Sequence, residues 1–243
     1  MSEQKKACLV IGAGDATGGA IAKRFAREGF LVVPVRRNID HLDDLTREIE
    51  QDGGEVVPIG CDARQEDQMI ALFERIETEI APLEVVVFNI GANARFDFLN
   101  LEVRKFSKIW ELACFSGFLT CREAARRMVP RGRGTILVTG ASASMKGFAG
   151  GAAFASAKFA LRGMTQAMAR ELWPMGIHVA HVVIDGAIDT EFIREFWPHA
   201  YAKKEQDGIL NPEHIAENYW QIHCQPRDAW TLEMDLKPWI ETF

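Results

Sequence analysis

The chain has 243 residues, 48% of them apolar and 26% charged, and a formal charge of -6; that length holds one large α/β unit or two small ones, with a substantial core. The acidic balance argues against nucleic acid, whose binding rests on basic groups meeting phosphates, and no apolar run approaches the ~18 residues of a membrane helix. The polar opening, Met1 to Lys6, leads straight into a strand with no secretory signal in view, and Cys8, Cys61, Cys114, Cys121 and Cys224 lack metal-ligand or pairing spacing, which reads as reduced thiols in a cytoplasmic protein.

In chain order, short Val- and Ile-rich runs predict strands at Ala7–Ile11, Leu31–Val35, Val56–Ile59, Val85–Asn89, Thr135–Thr139 and His178–Ile184. Most lack period-two alternation, as strands covered on both faces of a parallel sheet do. Between them, amphipathic stretches predict helices near 17–28, 41–52, 65–80, 101–129 and 150–173. Strand-helix alternation of this kind gives an α/β fold with a single doubly wound parallel sheet. No repeat, low-complexity segment or linker divides the chain, so residues 1–243 read as one domain. After Asp185 the pattern turns polar and aromatic; about 185–225 reads as a lid or helical insertion, with a helix at Pro212 to His223 and a last strand within Trp230–Leu236.

The first strand runs into Gly12-Ala-Gly14-Asp-Ala-Thr17-Gly18. A glycine-rich turn between a buried strand and a helix lets backbone approach a pyrophosphate, with the helix N-terminus facing its negative charge. The spacing is Gly-x-Gly-x-x-x-Gly, one residue longer than the common dinucleotide fingerprint. About 20 residues past the glycines an NAD site carries an acidic residue for the ribose. This chain has Arg36-Arg37-Asn38 there, and guanidinium groups can grip a 2′-phosphate. NADP is the expected cofactor, and nearby Asp40 keeps NAD open.

These motifs, in this order, resemble the classical-size short-chain dehydrogenase/reductase family, a Rossmann-fold family, over about residues 7–190. The resemblance places Gly12, Gly14, Thr17 and Gly18 in its glycine-rich turn, although Ala16 stands where another glycine is usual. It places Asp62 against the adenine ring, and Asn89 and Gly91 in the floor of the cofactor site. Ser142 aligns with the substrate-orienting serine, and Lys158 with the lysine that holds the nicotinamide ribose. Gly186 and Thr190 fall in the segment beside the nicotinamide, where Asp185 replaces a proline.

The departure lies in Phe154-Ala-Ser-Ala-Lys158, where the resemblance implies a catalytic tyrosine in place of Phe154. Cys114 stands where the family has a supporting asparagine. The retained pair is Ser142 and Lys158. A positioned acid contributes ~10²–10⁴-fold to such a reaction, and phenylalanine supplies none. Lys158, Tyr201, or an Asp185 carboxyl raised by burial are the replacements weighed; a core or surface tyrosine and a turn aspartate are the bland alternatives. His178 and His181, three apart on one strand, face opposite sides of the sheet and share no metal. Phe192, Phe196, Trp197, Tyr219, Trp220, Trp230 and Trp239 line an apolar substrate pocket or pack a C-terminal tail. The resemblance implies an NADP-dependent oxidoreductase acting on a small-molecule carbonyl, alcohol or enone, assembled as a homodimer or homotetramer. The alternative is an inactive nucleotide-binding protein with a regulatory or scaffold role.

Overall fold

Five wholly buried residues open the sheet as β1 (Ala7–Ile11). The computed structural model describes residues 5–241. The chain continues through α1 (Thr17–Arg27), β2 (Leu31–Arg36), α2 (Asp43–Gln51), β3 (Glu55–Val56), β4 (Ile59–Gly60), α3 (Glu66–Arg75), β5 (Leu83–Phe88), α4 (Val103–Trp110), α5 (Ser116–Met128), β6 (Gly134–Thr139), α6 (Ala152–Leu172), β7 (Ile177–Ile184), α7 (Glu191–Phe196), α8 (Pro198–Tyr201), α9 (Pro212–His223) and β8 (Glu233–Leu236). All pairings are parallel, in the order β3-β2-β1-β5-β6-β7-β8, with β4 also on β2.

The strands lack alternation because both faces are covered. On one face Leu9, Ile11, Val86, Phe88 and Val138 pack with Met69, Phe73, Leu119 and Leu161 from α3, α5 and α6. On the other, Val10, Val32, Val85 and Leu137 pack with Ile21, Phe25, Ile49, Ile215 and Tyr219 from α1, α2 and α9. The expected doubly wound Rossmann architecture is present. The connection after β1 runs to β2 on one side, and the connection after β4 crosses back to β5 on the other side of β1, which opens a crevice at the carboxyl ends of β1 and β5.

Three predicted elements differ in physically legible ways. The third strand is split into β3 and β4 at Pro58, which has no N–H for the ladder; both pieces still pair with β2. The helix at 65–80 is α3 followed by a π turn at Ile76–Ile80. The helix at 101–129 is broken by a π turn at Glu111–Phe115, where the Ser116 hydroxyl donates to Leu112 O at 2.6 Å. Such turns commonly re-aim side chains at functional sites, and this one carries Cys114.

The expected C-terminal helix and strand form as α9 and β8. Residues 185–225 add the short helices α7 and α8 before α9. Asn211 caps α9 by accepting from the Glu213 N–H at 2.8 Å, and β8 continues the sheet beside β7.

Candidate active site

Gly12 has φ +86, a left-handed conformation, and a Cβ there would lie 3.0 Å from Asn89 backbone. A Cβ on Gly18 would collide with Gly12 O. Asn89 locks this junction: its N–H donates to Ile11 O at 2.8 Å and its side-chain amide to Gly12 O at 3.1 Å. The turn therefore brings backbone to the crevice with no side chain in between. Around Gly14 and Gly91 there is open space.

No side chain caps α1 and no acidic residue lies in its first turn. Its orphan N–H groups and dipole suit an anion. Thr17 Oγ1, at the same end, is buried without a hydrogen-bond partner. These features fit a dinucleotide pyrophosphate, for which Gly12, Gly14, Thr17 and Gly18 would form the cradle.

The other expected cofactor residues have partners of their own. Arg36 donates to Asp15 at 3.0 Å and to His41 O at 3.1 Å. Arg37 is exposed, and its charge reaches Asp62. The Asp62 carboxylate receives Arg64 Nε at 2.9 Å, and this hydrogen bonding holds its pKa below the usual aspartate range. Thr190 caps α7, its hydroxyl oxygen accepting from the Ile193 N–H at 3.1 Å. Gly186 lies against Pro238.

Phe154 and Lys158 are one helical turn apart on α6, buried at 6% and 2% exposure. The Lys158 ammonium donates to Thr139 O at 2.8 Å and Ile90 O at 3.1 Å, so it spans the ends of β6 and β5. Burial lowers its pKa to about 8. The Phe154 ring lies 6.0 Å from this amine, centroid to Nζ. Cys114, aimed inward by the π turn, lies within the field of Lys158; burial raises its thiol pKa and the lysine charge opposes that rise. His181 is buried, with Ser144 Oγ 3.3 Å from Nε2, and desolvation followed by the Lys158 charge lowers its pKa to about 4.

Ser142 follows β6 and lies near the Asp185 carboxylate just beyond β7, whose pKa it helps to lower. Asp185 is 5% exposed and pairs with Lys237 Nζ at 3.2 Å. Burial pushes its carboxyl upward, but Ser142, Lys237 and the charge of Lys146 outweigh it, leaving the pKa below the usual aspartate range. Of the replacements weighed for the missing phenol, a burial-raised acid at Asp185 is therefore not what the surroundings of this carboxyl favour. Lys146 and Lys237 escaped sequence reasoning because Lys237 lies 52 positions beyond Asp185 and arrives through the β7–β8 pairing.

The two tyrosines are occupied elsewhere. Tyr219 is wholly buried on the opposite sheet face, its hydroxyl 2.7 Å from Thr139 Oγ1. The Tyr201 hydroxyl accepts from Lys204 at 3.4 Å. The aromatic set divides between its two readings. Trp220 packs on Phe25 and Phe30, and Trp230 stacks on His178 at 4.8 Å, while Phe192 and Phe196 are exposed and Trp197 covers Arg95. A cavity of about 520 Å³ opens between the segment after α8 and β8, lined in part by Asp189, Lys204, His214, Lys237 and Trp239. Among the described residues, no group of three or more His, Cys, Asp or Glu side chains could hold a metal ion, and no helix is long and apolar enough to cross a membrane.

A doubly wound sheet with a glycine-lined crevice at its switch point defines a dinucleotide-type fold. The sequence profile of the short chain dehydrogenase family matches residues 6–200. The chain belongs to that family, and with it to the oxidoreductases. A 3beta-hydroxysteroid dehydrogenase of Mediterraneibacter gnavus is 34% identical over 187 residues, 76% of this chain and 67% of that one. A solved short-chain dehydrogenase from Rhodopseudomonas palustris is 45% identical with a TM-score of 0.84, covering 98% of this chain and 100% of that one. A metagenomic short-chain oxidoreductase, solved in complex with NADP, shares the fold at 23% identity and a TM-score of 0.83, covering 97% of this chain and 98% of that one.

Proposed function

We propose that this protein is an NADP-dependent oxidoreductase acting on a carbonyl, alcohol or enone small molecule, with Phe154 at the position of the family tyrosine. The observation that carries the reading is Lys158: a buried ammonium held across the ends of β5 and β6, facing the crevice that begins at Gly12. Burying a charge is costly unless it is satisfied, and a ribose ligand gives that cost a purpose. When bound, the nicotinamide supplies or accepts hydride. The protein's own part is to hold the pyrophosphate at α1, hold the ribose through Lys158, and orient the substrate oxygen through Ser142. Asp62, Asn89, Gly91, Gly186 and Thr190 complete the proposed cofactor contacts.

The choice of NADP rests on Arg36 and Arg37 after β2. Arg36 exchanges Asp15 for the 2′-phosphate in this reading, and Arg37 is already exposed. The chain works as one domain, with 185–225 closing over the substrate, in the cytoplasm. A homodimer through α4, α5 and α6 is supported by the apolar side chains these helices leave exposed: Val103 at 82%, with Phe106, Trp110, Phe118 and Phe159. Light scattering tests this directly.

A second reading, an inactive nucleotide-binding protein, is favoured by one observation: the Phe154 ring lies over Lys158 and neither tyrosine hydroxyl is directed there. The discriminating experiment incubates purified protein and NADPH with a broad panel of aldehydes, ketones and enones, and NADP+ with the matching alcohols. Turnover supports the oxidoreductase. Coenzyme binding without turnover, followed by turnover in Phe154→Tyr, supports the inactive protein.

A further inference from the structure

An exposed arginine stands where the apolar wall around Phe154 meets solvent. Arg95 lies in the loop after β5, past Asn89 and Gly91. Its backbone is tied to the loop after β6: the Phe96 N–H donates to Gly150 O at 2.9 Å. Gly150, at φ +78, lets the two loops approach, since a Cβ there would lie 3.4 Å from the Arg95 Cβ. The guanidinium carbon lies 5.2 Å from the Phe148 ring centroid and 4.9 Å from that of Trp197. Phe148 follows Ser142 in the loop after β6, and Trp197 stands between α7 and α8. Three loops at the carboxyl ends of the strands, where open α/β sheets bind ligands, therefore meet at this one side chain.

Aromatic faces hold the charge of a guanidinium and leave its planar fork of N–H donors for oxygen acceptors. Among the described residues Arg95 makes no ion pair and no hydrogen bond; its contacts are the two rings. Carboxylates are not scarce, because the chain has 34 acidic residues against 28 basic ones. Arg64, Arg162 and Lys204 each hold one. Asp97, two positions from Arg95, instead receives the Asn100 amide at 2.6 Å.

The Phe148 ring also packs against the cluster of Ala143, Ala153 and Phe154, beside Ala92 and Ala94. One side of the crevice is thus an apolar wall with an unpaired fork at its rim. A hydrocarbon body suits the wall, and a planar carboxylate matches the fork in bidentate fashion. We infer that Arg95 is a specificity-determining residue for a substrate carboxylate, so that the site takes an apolar oxo acid or the matching hydroxy acid. This rests on the oxidoreductase reading above and adds the class of substrate to it. Arg95 supplies a single charge, and Lys105, over the Phe96 ring, is already held by Glu102, which argues against a dianionic phosphate. Phe148 and Trp197 position the guanidinium. Because Trp197 belongs to the 185–225 segment, closure of that segment and capture of the carboxylate share one contact.

The test has two arms. The first measures kcat/KM with NADPH for a panel of aryl and cyclohexyl oxo acids, their methyl esters and the matching phosphonates. Wild type should prefer acid to ester by about 10- to 100-fold, the usual worth of hydrogen bonds to a charged group. Arg95→Met keeps a long side chain against both rings and should abolish that preference. Arg95→Lys keeps the charge without the fork and should retain part of it. A wild type that turns over ester as well as acid, or prefers phosphonate to acid, overturns the assignment. So does an Arg95→Met protein that keeps the preference.

The second arm needs no turnover and separates the two possible failures. Isothermal titration of wild type and Arg95→Met uses benzoate, cyclohexanecarboxylate and the two corresponding amides, with and without NADP+. The carboxylates should bind wild type saturably and about 10-fold or more tighter than the amides. They should lose that advantage in Arg95→Met, while the melting temperatures of the two proteins stay close. If no compound of the first panel reacts, the oxidoreductase reading fails, and this titration still judges the carboxylate site. Equal carboxylate binding in wild type and Arg95→Met, or none in wild type, overturns it.

Discussion

Replacing Phe154 with tyrosine restores a phenol beside the Lys158 ammonium, and the structure sets the size of the effect. The ring centroid is 6.0 Å from Nζ. At an effective dielectric constant of about 20, unit charges at that separation interact by about 3 kcal/mol, equivalent to about two pK units. The ammonium favours the phenolate and burial at 6% exposure opposes it, so the new phenol should titrate below the ordinary ~10. The tyrosinate absorbance of the variant minus that of wild type measures this, because Tyr201 and Tyr219 are common to both proteins. With coenzyme and a reactive alcohol or ketone, the variant should gain about 10²-fold or more in rate. A new phenol that titrates at or above the ordinary tyrosine value would refute the placement of Lys158 as a cation bearing on position 154.

Lys158 itself gives a stability signature: burial lowers its folded pKa to about 8 from the ordinary lysine value of 10.5. Between those values the unfolded chain binds more protons, so the Lys158 contribution to stability should rise with pH across that window by about 3 kcal/mol; because the buried thiols of Cys8, Cys61 and Cys121, raised by burial, act in the opposite sense, the rise is read by denaturant unfolding as the difference between wild type and Lys158→Met. Arg36→Ala with Arg37→Ala should weaken NADPH about 10-fold or more and leave NADH little changed, since a hydrogen bond to a charged group contributes about 1.5–3 kcal/mol; isothermal titration checks both coenzymes. Gly18→Ala puts a methyl group against Gly12 O and the Asn89 amide; it should cost roughly 1–3 kcal/mol, seen as a lower melting temperature, and reduce coenzyme affinity as well.

Much of the fold was legible because a sheet covered on both faces writes itself as unbroken Val- and Ile-rich runs, with amphipathic stretches between. The split at Pro58 had a visible cause that the apolar run masked. The π turn that carries Cys114 had none, since a helix with one extra residue in a turn keeps nearly the same apolar pattern. At the site, Gly12, Gly18 and Asn89 meet as the motif implies, and Phe154 sits beside Lys158 by helical spacing alone. The groups around Asp185 could not be read from sequence, because Asp185 follows β7, Ser142 and Lys146 lie in the loop after β6 and Lys237 comes from beyond β8. Only the sheet order places them together. That meeting also reversed the expected direction of the Asp185 shift: burial alone raises a carboxyl, whereas a hydroxyl and two ammonium groups hold it down.

The proposed function requires a working nicotinamide dinucleotide site around Phe154. Titrating the purified protein with NADPH and with NADH, followed by nicotinamide fluorescence, tests it most directly. The account predicts saturable binding, about 10-fold or more in favour of NADPH and markedly weakened in Lys158→Met. Absence of binding by either coenzyme, or equal binding in wild type and Lys158→Met, would contradict it.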